Sequence, residues 1–183
     1  SGITGITVAK LDTNGNLQWA KTFTSWYQYG QGITITDQGN ILLVGLEDVS
    51  GVYKPAWAQL DPSNGSTNFV HYLNVTGVPS FNRAHASITP SIYGGNWVVW
   101  HITANRTWSA HIKDDGTIDR MVGFSGFNHW VEGIGSSPID DALFMGQRGN
   151  DGSPTTDQAW WNISSQPWSD AIFGTWSGHV IFF

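Results

Sequence analysis

The chain is 183 residues long, enough for one domain with a sizeable core, and at 40% hydrophobic and 12% charged it does not have the composition of a disordered chain. A net charge of −6, with only eight scattered Lys and Arg, excludes a basic surface for nucleic acid or an anionic membrane, and the lack of cysteine removes disulfides, thiolate catalysis and Cys-type zinc sites together. No apolar run approaches the ~20 residues of a membrane-spanning helix, whereas 11 Trp, 9 Phe, 5 Tyr, 22 Gly and 7 Pro are the profile of many short strands joined by tight turns.

Ser1-Gly2 opens the chain without Met, which reads as a processed or excised sequence with no signal peptide to read. The first element, "VAKLDTNGNLQWAKTF", alternates apolar and polar residues on either side of Asp12-Thr13-Asn14-Gly15-Asn16. Oxygen ligands at alternate positions around a glycine are how a calcium loop starts. An Asn-Gly between two alternating runs is also how a β-hairpin turns. A calcium loop needs a downstream carboxylate, which Leu17-Gln18-Trp19 does not supply, so the hairpin is the favoured reading. Next comes "GITITDQGNILLVGLED", predicted as two strands around Asp37-Gln38-Gly39-Asn40.

The opening pattern then recurs. "WAQLDPSNGSTNFVHYL" turns at Gly65 and "SAHIKDDGTIDRMVGF" at Gly116; neither keeps the ligand spacing of Asp12 to Asn16. Ala9, Ala58 and Ala110 are spaced by 49 and 52 residues, and Ala159 in "AWWNI" follows after another 49. The second hairpin type recurs as "ASITPSIYGGNWVVWHIT" around Gly94-Gly95-Asn96, and more weakly as "VEGIGSSPIDDALFMGQ" around Ile139-Asp140-Asp141. "AIFGTWSGHVIFF" is expected to be a fourth copy, turning at Ser177-Gly178, and no amphipathic helix is predicted. Sequons at Asn64, Asn74, Asn105 and Asn162 matter only in a host that glycosylates.

Two hairpins per period of about fifty residues predict a four-stranded antiparallel unit, and such units arranged radially make a β-propeller. The pattern Ala-x-Leu-Asp-x-x-Gly-x-x-x-Trp, carried by "AKLDTNGNLQWAKTF" and followed by "GQGITITDQGNILLVG", resembles the β-propeller repeat proteins of bacterial surfaces and phage virions. The match is good over the first hundred residues and then fades: Asp12 and Asp61 become Lys113 and Asn162, and Asp37 has no clear partner in the second copy. The resemblance implies an all-β propeller of four-stranded antiparallel blades and an extracellular, cell-surface or virion setting. Residues 1–183 are then a single domain of three whole blades plus a composite fourth, closed by pairing the N-terminal hairpin with "HVIFF". The alternative is a piece of a larger propeller.

In such a ring the loops leading into the innermost strands share one face. They are "TSWYQYGQG", "VPSFNRAHA" and "GFNHWVEG", rich in aromatics: Trp26, Tyr27, Tyr29, Phe81, Phe127 and Trp130, with Phe81-Asn82 and Phe127-Asn128 as matching pairs. Aromatic planes beside amides suit sugars, whose C–H faces stack while their hydroxyls hydrogen-bond. Packing between blades is the competing reading, and it is the one assigned to Trp57, Trp108 and Trp160 beside the repeating alanines and to Trp19, Trp97 and Trp100 mid-strand. Gln31, His85 and Glu132, each between small neighbours, are expected to converge on a central channel, either as a hydrated plug or, for His85 and Glu132, as an acid–base or metal-binding pair. No further ligands are placed to fix a metal, and no nucleophile elbow, phosphate loop or His-Glu-x-x-His motif occurs. Asp114-Asp115 and Asp140-Asp141 sit in or beside turns, where neighbouring carboxylates face opposite ways. His101 and His111 are expected to be structural.

The expected function is therefore non-catalytic recognition or adhesion, with a glycan or protein surface as partner and no cofactor, metal, nucleic acid or membrane insertion. The alternative is a structural assembly unit that associates with copies of itself or with the rest of a larger fibre, virion or repeat chain. A glycan-cleaving enzyme using His85 and Glu132 is the third reading.

Overall fold

Runs of alternating apolar and polar residues, cut by Gly-containing turns, become strands throughout the chain. The computed structural model describes residues 5–26, 31–74, 85–103, 106–125, 129–136, 143–149, 158–161 and 173–176, with side chains for 5–26, 31–74, 85–101, 107–121 and 134–136. Fourteen strands and no helix occur among them: β1 (Ile6–Leu11), β2 (Leu17–Phe23), β3 (Gly32–Ile35), β4 (Ile41–Val49), β5 (Val52–Leu60), β6 (Thr67–Tyr72), β7 (His85–Pro90), β8 (Asn96–Thr103), β9 (Arg106–Ile112), β10 (Ile118–Ser125), β11 (His129–Ser136), β12 (Leu143–Gly149), β13 (Gln158–Trp161) and β14 (Phe173–Trp176). The fold is all-β and antiparallel. β1 and β2 form a hairpin; β3 to β6 and β7 to β10 form two four-stranded meanders in sequence order; β11 pairs with β12 and β13 with β14. β12 also lies beside β13, which extends the third unit.

Phe173–Trp176 runs antiparallel to β13, with Trp161 opposite Phe173 and Gln158 opposite Trp176, a pairing the sequence had not been read to give. Ser177-Gly178, "HVIFF" and the expected turn at Ile139-Asp140-Asp141 lie outside the described residues.

Burial explains why β4 does not alternate. Ile41 to Leu46 are all buried because both faces of the β3–β6 sheet are covered. One face carries Leu42, Val44, Leu46 and Trp57 against Ala86, Val98, Trp100, Ala110 and Ile112 of the next sheet. The other carries Ile41, Leu43, Ala56, Ala58 and Leu60 against Val8, Phe23 and Trp26 of the N-terminal segment. Each such aliphatic side chain contributes roughly 1.5–3 kcal/mol when fully buried, so these two seams are the main stabilising feature. Of the tryptophans expected to pack between sheets, Trp57 and Trp100 meet with ring centroids 5.9 Å apart, Trp108 borders the same cluster and Trp19 the cluster on the other face, while Trp97 is buried against His111 of its own sheet.

The turn at Asp12 to Asn16 settles as a hairpin. Asp12 Oδ1 accepts from the Asn14 and Asn16 amides at 2.8 Å each, and Oδ2 accepts from Asn16 Nδ2 at 2.9 Å. Those bonds, the Asn16 side chain's first, hold the Asp12 carboxyl below its usual range. Asp61 and Asp115 do the same in the later copies, chiefly through the hydroxyls of Ser63 and Thr117.

The turns at Gly65 and Gly116 are also clasped by the preceding unit. Lys10 Nζ and Trp19 Nε1 donate to the Pro62 carbonyl at 2.8 and 3.1 Å. One unit later, Gln59 Nε2 donates to the Asp114 carbonyl at 2.7 Å and Trp57 Nε1 to that of Gly116 at 2.9 Å. The Trp19 ring lies over Gly65, where a Cβ would fall 2.6 Å from it, and the Phe69 ring lies closer still over Gly116. Only glycine fits beneath either ring.

Candidate functional site

The ends of β3, β7 and β11, the first strands of their sheets, fix their direction. A Cβ on Gly94, just past β7, would lie 3.6 Å from Asp37 Oδ2, just past β3. Ser136 Oγ, at the end of β11, donates to the Pro90 carbonyl, at the end of β7, over 2.5 Å. β7 lies beside both β3 and β11. The three strands therefore run the same way, and their first residues, Gly32, His85 and His129, lie at the opposite end.

At that end the sequence-predicted residues separate. Trp26 is corrected from ligand contact to core: it is 0% exposed. Its backbone bridges to Glu47, its ring lies 5.2 Å from that of Phe23, and it covers Gly45, whose Cβ would sit 3.0 Å from the indole. Ser25 pins this corner, donating from Oγ to Glu47 Oε1 at 3.2 Å and accepting from the Asp48 amide at 2.7 Å. The legible signal was Gly45: a glycine inside an apolar strand marks close approach of another group. Trp26 Nε1 is buried with no hydrogen-bond partner among the described residues.

Gln31 is half-buried beside the same glycine, its Cγ 3.1 Å from the Cβ position. His85 is exposed at the first residue of β7, opposite His101. The two are not equivalent, as the sequence match implied. The amide of Thr36 donates to Asn40 and that of Ser91 to Gly95, closing matching turns, so Ala86 rather than His85 stands at the register of Gln31. Adjacent strand residues face opposite ways, and a one-residue slip moves a side chain across the sheet. Glu132 falls at a bulge of β11, between the pairs Val131–Gln147 and Gly133–Gly146. Trp130 is in the same strand, opposite Arg148. Tyr27, Tyr29, Phe81, Asn82, Phe127 and Asn128 lie outside the described residues.

Sequence reasoning had no handle on the His101 environment. His101 is fully buried, with Nδ1 3.0 Å from Thr107 Oγ1, and burial first, then the nearby His85, pushes its pKa down to about 4. The unfolded chain takes up a proton near the ordinary value of 6.5 that the folded site refuses. Stability is therefore expected to fall as the pH drops from about 6.5 toward 4, by about 3 kcal/mol in all. Urea melts at pH 7 and 4.5 check this, and His101→Asn should flatten the difference. The lowered aspartates act in a separate window, below their ordinary value of 3.8.

His111 also has structural partners. Its Nδ1 lies 2.7 Å from Asp119 Oδ1, and Nε2 donates to the Gly94 carbonyl at 2.9 Å. At the turn end Asp114 is pushed up by loss of solvent and then by Asp37 and Asp115, but among the described residues no three His, Asp or Glu side chains come together as a metal site. What the described residues at that end can offer chemically is an exposed imidazole, at His85, and a half-buried amide, at Gln31. No protein-family model matches the chain, and a search of curated proteins finds no match to it.

Proposed function

We propose that the chain is a non-catalytic β-propeller module for recognition or adhesion, binding a glycan or protein surface outside the cell or on a virion. The observation that carries this reading is the common direction of β3, β7 and β11, whose first residues share one end. In the sequence, the stretches before these strands carry Tyr27, Tyr29, Phe81, Asn82, Phe127 and Asn128, and Trp130 stands on β11, the aromatic and amide residue types that suit a sugar. Four-stranded meanders in sequence order, each stacked on the last, support the propeller part of the proposal.

A glycan array and a panel of cell-surface proteins test it. Phe81→Ala and Trp130→Ala should each weaken binding tenfold or more, as loss of a buried aromatic anchor does, with the melting temperature held. No ligand on either panel, or binding indifferent to both changes, sinks the proposal. A second reading, a structural assembly unit, is favoured by one observation: Leu11 of the N-terminal hairpin is 56% exposed, whereas its counterpart Leu60 is fully buried.

A further inference from the structure

Two carboxylates from different sheets meet at the turn end of the seam between the first and second meanders. Asp37 is in the β3–β4 turn and Asp114 in the β9–β10 turn. Asp37 Oδ2 lies 3.6 Å from where a Cβ on Gly94 would stand, and the Asp114 carboxylate accepts from the amide of Gln38, the residue after Asp37. Neither carboxylate is in an ion pair among the described residues. The charges that act on Asp114 are Asp37 and Asp115, both of its own sign. Its Oδ1 is shut off from solvent and has no hydrogen-bond donor among the described residues. A carboxylate oxygen left like that is costly unless something positive offsets it.

A third oxygen is aimed at the same place. Asn96 is 1% exposed, and neither its side-chain oxygen nor its nitrogen has a partner among the described residues. The large majority of buried polar side-chain atoms are paired, so an amide with both ends open points to a group that binds beside it. The pleat gives its direction. Asn96 opens β8 opposite Ile112, and Gly94 and Asp114 stand two residues further out on the two chains. Residues two apart along a strand share a face. Ile112 and Val98 pack with Leu42 and Val44 of the first meander. The Asn96 side chain therefore enters that same seam, one step inside the two carboxylates. Gln59, cross-strand from Leu42, spans the seam at this level and donates to the Asp114 carbonyl at 2.7 Å.

We propose that Asp37, Asp114 and Asn96 form a cation site between the first and second meanders, for a hard, oxygen-seeking ion of the calcium class. Two carboxylates and an amide oxygen are the donor types such an ion takes, with water completing its coordination. The bound ion offsets two like charges that the fold holds together, and it ties one meander to the next. Asp12, the residue with the calcium-like spacing in the sequence, has no part in it, because both of its oxygens are taken by Asn14 and Asn16. The site is at the opposite end of β3 and β7 from Gln31 and His85, so it stands or falls separately from the recognition reading.

Calcium chloride titrated into the full chain, stripped with EDTA and held at constant ionic strength, should release or absorb heat at one ion per chain and raise the melting temperature. Asp114→Asn, which keeps an acceptor for the Gln38 amide, should weaken calcium binding tenfold or more. Asn96→Leu should weaken it as much, yet keep or raise the melting temperature of the calcium-free chain, because it removes two unpaired polar atoms at nearly constant volume. An amide with a merely structural role would lower that temperature instead. Should Asn96→Leu fail to fold, Asp37→Asn on the exposed turn carries the same expectation for calcium. Asp12→Asn should leave calcium binding unchanged. No binding at about 1 mM calcium, the weak end of the range for extracellular calcium modules, would overturn the proposal. So would binding indifferent to both Asp114→Asn and Asp37→Asn, or binding lost in Asp12→Asn alone.

Discussion

Gly116→Ala is expected to cost about 3 kcal/mol of stability, whereas the same change at Gly15 costs about 1 kcal/mol. Both glycines have φ of +84°, so the backbone penalty for an L side chain is shared. The difference lies above them. A Cβ on Gly116 enters the Phe69 ring, whereas on Gly15 it meets nothing within 4 Å. Urea melts of both variants measure this, with an unchanged m-value showing that the unfolded surface is the same. Phe69→Leu in the Gly116→Ala background should return part of the loss, since the ring is what the new methyl strikes. Equal costs at the two sites would mean that the clasp over the turn contributes no steric constraint.

Trp26→Ala should destabilise by about 3–5 kcal/mol, the range for removing a large aromatic from a packed core. Trp26→Phe should cost well under half of that, because a ring still covers Gly45 and the change removes a buried N–H that has no partner among the described residues. The pair also separates two roles for the residue. A core tryptophan loses stability in both variants and leaves ligand binding by folded Trp26→Phe unchanged. A ligand-stacking tryptophan would do the reverse.

What could be read in advance follows the range of the forces involved. The turns at Gly15, Gly39, Gly65 and Gly116 were legible because their determinants lie within five residues: a glycine with positive φ and a side-chain oxygen accepting backbone amides. Asp12 looked like a cation ligand for the same reason, since the oxygen that closes a turn is the oxygen that would bind calcium. The pairing of β14 with β13 was not legible, because four residues carry little register information. Nor was the register of His85, which its small neighbours do not set. Trp26 was misplaced because its burial depends on Gly45, in another strand, where the absence of a side chain is the determinant. Of the candidate site, the common direction of β3, β7 and β11 follows from the repeat period, whereas the separation of Gln31 from His85 hinges on a single residue.

The clasp from each unit to the turn of the next also gives the chain a direction in time. β1 and β2 leave the ribosome first, yet the carbonyl that Lys10 and Trp19 grip belongs to Pro62, and the glycine beneath Trp19 is Gly65. The second unit's clasp in turn waits for Asp114 and Gly116. During synthesis, at about 5–20 residues per second, each unit stays incomplete for several seconds until roughly fifty more residues have emerged. A nascent chain in which residues 62–65 are still inside the ribosome therefore holds this hairpin undocked, and one in which residue 66 has emerged holds it fastened.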